Sequence, residues 1–290
     1  VIVVAGGGGL LGRQVVSDLV SRGEQVRVLV RDAERARSLF GDHVEVVAAD
    51  VRRAADLQGL IGGASVVISA VHGFLGGRGA GPAEVDLAGN ANLIDAAAAI
   101  GAAVVLVSAV GAAVDSPLDL FRAKHAAEQY LRASGTGWTI VRAGPFLQTW
   151  LVVLTQTAGR SGQPLIFGRG VQPIAFVSMV DVAWIVSRAA TDPSLRSQLL
   201  EVTGDPMTMT ELAHAVQAAH GWHGPVRHLP PQLLRALATL ARPVNPAFAR
   251  KNRAALLLDT APLTVHTDLA VLLGRTPQQV RDVLATLHPS

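Results

Sequence analysis

The sequence predicts a doubly wound α/β fold, a parallel sheet with helices on both faces, and three observations carry the prediction. Short apolar β-branched runs recur along the first half of the chain. Segments with helical spacing alternate with them, and a glycine cluster joins the first run to the first helix. A smaller, mostly helical C-terminal cap is expected to complete it.

The first run is Val1-Ile2-Val3-Val4-Ala5, followed by Gly6-Gly7-Gly8-Gly9-Leu10-Leu11-Gly12-Arg13. Val15, Val16, Leu19 and Val20 then recur at helical spacing. A buried strand, a glycine turn and a helix start form the arrangement that holds a dinucleotide pyrophosphate. Glycines let the backbone approach the phosphates, and the free amides and dipole of the helix start favour negative charge. Gly6, Gly9 and Gly12 fit G-x-x-G-x-x-G, and Gly7-x-Gly9-x-x-Gly12 fits as well. The binding residues expected here are Gly6, Gly9, Leu10, Leu11, Gly12 and Arg13.

Residues 25–30 form the second strand, closing in Arg31-Asp32. At this position an acid takes the ribose 2′-hydroxyl of NAD, whereas a cation accommodates the 2′-phosphate of NADP. Arg31, with Arg13 within reach, favours NADP; Asp32 turned inward favours NAD. Residues 44–48 make strand three, and Asp50-Val51 follows, where a carboxylate can accept from the adenine amino group. Residues 65–69 make strand four, and the small Ala70-Val71 end lets a cofactor lie across the strand ends, with His72 next. The segment 73–81 holds five glycines and reads as a mobile loop over the site.

A helix over 86–99, strand five over 103–107 closing at Ser108, a helix over 117–133 and strand six over 139–142 continue the alternation. The uncharged run 96–114 is long enough to span a membrane. It changes character at Gly101, so it reads as a helix end feeding a buried strand. Residues 1–145 plus about 174–203 are expected to form the dinucleotide-binding domain, and about 146–173 and 204–290 the substrate cap. Within the cap a helix over 209–219 is capped by Thr208 or Thr210.

Composition narrows the function classes. Of 290 residues, half are hydrophobic and 16% charged, which excludes a disordered chain. With no cysteine, disulfides and thiolate metal sites are ruled out, no metal site is expected, and a reducing cytoplasmic setting follows. Val1 already opens a core strand, so no leader is expected. The formal charge is +3, and the basic residues are scattered except in 227–253, where Arg227, Arg235, Arg242, Arg250, Lys251 and Arg253 occur without an acid. No nucleic-acid module accompanies them. The stretch reads as an Arg-rich helical surface; a face that draws in an anionic substrate or a membrane surface is the alternative.

Taken together these residues resemble the atypical short-chain dehydrogenase/reductases and, among them, the NmrA-like group. The likeness runs through the glycine turn, Val30-Arg31-Asp32, Asp86-Leu87-Ala88-Gly89-Asn90, Val107-Ser108, Lys124 with Glu128, Trp138 to Arg142, Val180 to Ala183 and the tail Leu272 to Pro277. It implies a Rossmann-type sheet with a nicotinamide ring near Ala70, Val71, Ser108, Lys124, Pro145 and Phe146. Ordinary members carry Tyr-x-x-x-Lys. Here Leu120 stands at the tyrosine position, and Tyr130 lies about one and two-thirds turns beyond Lys124, facing elsewhere. Ala143 also departs from the usual Pro.

Hydride transfer needs a group to stabilise or protonate the developing oxyanion. Lys124, Ser108 and His72 are the candidates. Lys124 and Lys251 are the only lysines among 25 Lys and Arg, so the ammonium at 124 is read as kept for a role Arg cannot fill. The resulting expectation is an NADP(H)-dependent (NAD possible) oxidoreductase of a small apolar carbonyl, enone or quinone, with homodimerisation by analogy. A non-catalytic NADP(H) sensor, or an isomerase, dehydratase or epimerase with tightly held cofactor, are the alternatives.

Overall fold

The computed structural model describes residues 1–265 and 267–287. The chain divides into two compact units: residues 1–142 with 182–200, and residues 143–181 with 201–290.

The first unit alternates strand and helix: β1 (Ile2–Ala5), α1 (Leu10–Ser21), β2 (Val26–Val30), α2 (Ala33–Phe40), β3 (Glu45–Ala48), α3 (Ala54–Leu60), β4 (Val66–Ser69), α4 (Asn90–Ala99), β5 (Ala103–Ala109), α5 (Asp119–Ala133) and β6 (Trp138–Ala143). The strands join a seven-stranded sheet ordered β3-β2-β1-β4-β5-β6-β9, where β9 is Gln198–Val202. Pairing is parallel from β3 through β5. At the far edge Ser197 N donates to Trp138 O and Gly144 N to Val202 O, start against start and end against end, so β9 is parallel too. Apolar runs such as β1 and β4, buried at every residue, are what a sheet covered on both faces requires. Val3, Val67, Leu93, Ile94, Leu106, Leu131 and Ile140 pack together in its core.

The order reverses between β1 and β4, and a crevice beyond the strand ends at such a switch point is where open α/β sheets place ligands. The run 96–114 is α4 ending at Ala99, Gly101 at φ +71°, and β5. Among the described residues no helix is long and apolar enough to cross a membrane. Two starts differ from expectation. The helix expected from Asp86 begins earlier, as a π-helical segment Ala83–Gly89 running into α4. The helix expected from Pro117 starts at Asp119.

The second unit holds α6 (Leu147–Ala158), β7 (Leu165–Phe167), β8 (Pro173–Ala175), the start of α7 (Met179–Thr191), β10 (Pro206–Thr208), α8 (Met209–His220), β11 (Arg227–Leu229), α9 (Pro231–Leu240), α10 (Pro246–Thr260), α11 (Leu269–Leu273) and α12 (Val280–Leu287). Its core joins Leu147, Leu151, Ile166, Leu212, Val216 and Val283. Thr208, not Thr210, caps α8: its hydroxyl accepts from Glu211 N while the Glu211 carboxylate accepts from Thr208 N, a reciprocal capping box.

Candidate active site at the strand ends of the first unit

The turn after β1 needs glycine for steric reasons at particular places. Gly6 sits at φ +81°, and a Cβ there would come 2.9 Å from the Ala70 carbonyl. A Cβ on Gly12 would meet Gly6 O at 2.2 Å, because the first turn of α1 rests on the glycine loop. Gly9 is the N-cap of α1, has no side chain to cap with, and is followed by no acid in the first turn. The amides of Leu10, Leu11 and Gly12 thus head a twelve-residue helix whose first turn carries no acid, the electrostatics an anion seeks. Leu10 is exposed and Leu11 buried. Arg13 Nε donates to Gly8 O at 3.1 Å, bracing the loop from behind.

Beyond β2 the two rivals for the ribose separate. Asp32 is the N-cap of α2 and its Oδ1 accepts from Arg35 N at 3.0 Å, so this carboxylate serves its own helix. Arg31, exposed at the strand end, contributes positive potential at Asp50 and at His72. Asp50 is forked by Arg52, whose Nε and terminal nitrogen lie 2.5–3.1 Å from its oxygens, and these bonds hold its pKa at about 2. The expected acceptor for an adenine amino group is therefore largely occupied. Val51 is buried and its carbonyl accepts from Asn92 Nδ2 at 2.9 Å. An open cavity of about 300 Å³ lies among Asp50, Arg52, Arg53, Gly79, Glu84 and Ala88.

The glycine-rich segment 73–81, expected to be mobile, is tied at three points. Gly73 N donates to Asp86 Oδ2 at 2.7 Å, Gly81 N to Glu84 Oε2 at 3.0 Å, and Arg52 to Gly79 O at 2.6 Å.

The ends of β4 and β5 are stitched from below by Lys124. Its Nζ donates to Val71 O at 3.1 Å and to Val107 O at 2.9 Å, and lies 3.0 Å from Asp86 Oδ1. Lys124 is 5% exposed and Asp86 0%. The pair is a charge contact more than an aligned hydrogen bond, since no donor points squarely at Asp86 Oδ1. Asn90 bridges onward, donating to Asp86 O and accepting from Ser69 Oγ. Ser108 Oγ donates to Glu128 Oε1 at 2.5 Å, and Arg142 forks the same carboxylate. Lys124 and Glu128 share a helix face but not each other: each has its own buried partner.

His72 is exposed yet stands in a recess whose crowding lowers its pKa, with Lys124 repelling the charged form and Asp86 partly compensating. Tyr130 lies on the outside, its hydroxyl donating to Asp95 Oδ1 at 2.7 Å. Pro145 and Phe146 belong to the second unit, where Pro145 O accepts from Val177 N and Phe146 precedes α6. Asp86 is the residue sequence reasoning passed over as a site member. Its signal was an acid between Val85 and Leu87 at the head of an apolar helix, which burial makes costly without a partner.

Comparison with known proteins agrees with this architecture. The family model described as NmrA-like matches residues 1–255. An NAD(P)H azoreductase of Xenophilus azovorans is 31% identical over 277 residues, covering 90% of this chain and 91% of that one. An Escherichia coli NADPH-dependent quinone oxidoreductase, solved with NADPH, superposes with a TM-score of 0.81 at 20% identity, over 99% of both chains. Triphenylmethane reductase of Citrobacter sp., solved with NADP(H), gives the same TM-score, identity and coverage.

Proposed function

This chain belongs to the NmrA-like family, and from that premise we propose that it is an NADP(H)-dependent oxidoreductase acting on a small apolar carbonyl, enone, quinone or azo compound. The first unit is the dinucleotide-binding domain and the second the substrate cap. The observation that carries this reading is the turn after β1. Gly6 and Gly12 clear a cradle that a Cβ would fill, ahead of a helix start with no side-chain cap and no acid. Such a cradle fits a pyrophosphate. Arg31, with Asp32 engaged as the α2 cap, favours the 2′-phosphorylated dinucleotide. The names of the relatives, an azoreductase, a quinone oxidoreductase and a dye reductase, support a planar apolar acceptor.

When bound, the nicotinamide supplies hydride; the chain supplies orientation and the proton. Lys124 holds the carbonyl ends of β4 and β5 in register; with its charge balanced by the buried Asp86, it positions the strand ends and their backbone. Ser108 directs its proton into Glu128, so it orients Glu128 and Arg142 in this resting arrangement. His72 has the ring best placed to donate, since among the described residues no hydrogen bond holds it. A neutral imidazole, favoured by its lowered pKa, keeps one N–H to offer. In the second unit Trp150, Leu154, Phe167, Met209 and Leu258 line a narrow apolar recess of about 10 Å³ beside the buried Asp259, which as it stands is too small to admit a ring.

Loss of NADPH absorbance on addition of a quinone, an enone and an azo dye tests the proposal. Turnover of one of them with NADPH preferred to NADH is expected. Tight NADPH binding without turnover on any of the panel overturns the enzyme reading and leaves a nucleotide-binding protein.

A further inference from the structure

We propose that the turn joining α9 to α10 docks this protein onto anionic lipid bilayers. The proposal starts from charge. No Asp or Glu occurs between Glu211 and Asp259, while six Lys and Arg fall between 227 and 253. Two of the six are committed: Arg227 donates to Gln163 O and Thr157 O, and Arg250 is buried. Arg235, Arg242 and Lys251 are exposed, and among the described residues no ion pair joins them to an acid. Asp259, the next acid along, is buried and accepts from the Arg169 and Gly170 amides.

The second observation is apolar. Leu240 is 74% exposed, Val244 84% and Phe248 41%, all within one helix–turn–helix tip. The turn is built, not frayed. Val244 N and Asn245 N both donate to Ala241 O, and the Asn245 side chain caps α10 by accepting from Phe248 N. Helix α9 spends Leu234 and Ala238 on the inside and leaves Leu233 half exposed. A protein partner wants a complementary surface with satisfied edges, and three exposed apolar side chains on a short turn offer little of that. A bilayer interface deforms around such a turn, accepts its apolar side chains below the headgroups and attracts the exposed cations carried by the turn and its two helices. Complementarity to anionic headgroups selects the occupant.

The test is flotation of the full chain with vesicles of phosphatidylcholine alone and of equimolar phosphatidylcholine and phosphatidylglycerol. The expected result is flotation with the anionic vesicles only, weakened by salt. Arg242→Ala and Lys251→Ala each lower the partition coefficient about fivefold. Val244→Asp and Leu240→Asp, on side chains that are already outside, keep the thermal midpoint and lower partitioning more than tenfold by adding an anion while removing apolar area. Equal flotation with both lipids, or flotation unchanged in Val244→Asp, overturns the proposal. So does a dimer, seen by light scattering, that Val244→Asp dissociates while the wild-type chain floats with no vesicle; the tip then faces a second copy. None of these readouts depends on the oxidoreductase reading.

Discussion

Two places at the same edge of the sheet treat their polar groups in opposite ways. The turn after β1 leaves its helix amides uncapped and keeps acids out of the first turn, while the cluster under β4 and β5 pairs nearly everything it buries. One carries neither a side-chain cap nor an acid; the other sets its charges against partners within the chain. A charged group near a crevice is thus no guide to its role until its partners are counted. Lys124 is rare and central, yet it donates to two carbonyls and sets its charge against a buried carboxylate.

The largest expected effect breaks the closed cluster. Lys124→Ala leaves Asp86 buried without its counter-charge and lowers stability by about 3–5 kcal/mol in denaturant unfolding. Adding Asp86→Asn to that variant recovers a large part. A Lys124→Ala protein of native stability would show that the cluster does not depend on the pair. At the open turn, Gly12→Ala forces a Cβ against Gly6 O, costs about 1–3 kcal/mol and removes NADPH binding measured by fluorescence titration. Arg31→Ala sharpens the contrast without touching the fold. NADPH affinity falls about 10- to 100-fold, the worth of a charge-assisted bond, and NADH affinity stays level. His72→Asn lowers kcat about 100-fold with the NADPH KM nearly unchanged if the imidazole is the donor.

The smallest effects are in pH. Asp50 has a folded pKa of about 2 against 3.8 unfolded. It adds stability that is complete above the unfolded value and is lost as pH falls from 3.8 toward 2, reduced by solvent screening at this part-exposed pair. Asp50→Asn flattens stability across that window. His72 acts in the same direction higher up. Its folded pKa lies below 6.5, so the unfolded chain binds the proton first and stability declines as pH drops through 6.5. Comparing His72→Asn with the parent by thermal melts across that range isolates the contribution.

The open turn was legible in the sequence and the closed cluster was not. Gly6, Gly9 and Gly12 announce themselves because glycine spacing records backbone shape directly. The alternation of apolar runs likewise fixes which segments enter the sheet. Partner choice among buried polar groups is a tertiary matter. Helical spacing put Lys124 and Glu128 on one face, and nothing local says that one turns to Asp86 and the other to Arg142 and Ser108. The π-helical segment escaped for a similar reason, since the extra residue per turn leaves no compositional trace. The anchors of segment 73–81 were not legible either, because they are supplied by Asp86, Glu84 and Arg52 from outside it.

The Asp32 cap reaches beyond this molecule's resting state. Because that carboxylate holds the first turn of α2, a redesign toward the unphosphorylated coenzyme gains little by rebuilding position 32. The acid has to be introduced one residue earlier, in place of the guanidinium. On the proposed reading, a chain altered there keeps its helix start intact while shifting preference toward the unphosphorylated dinucleotide.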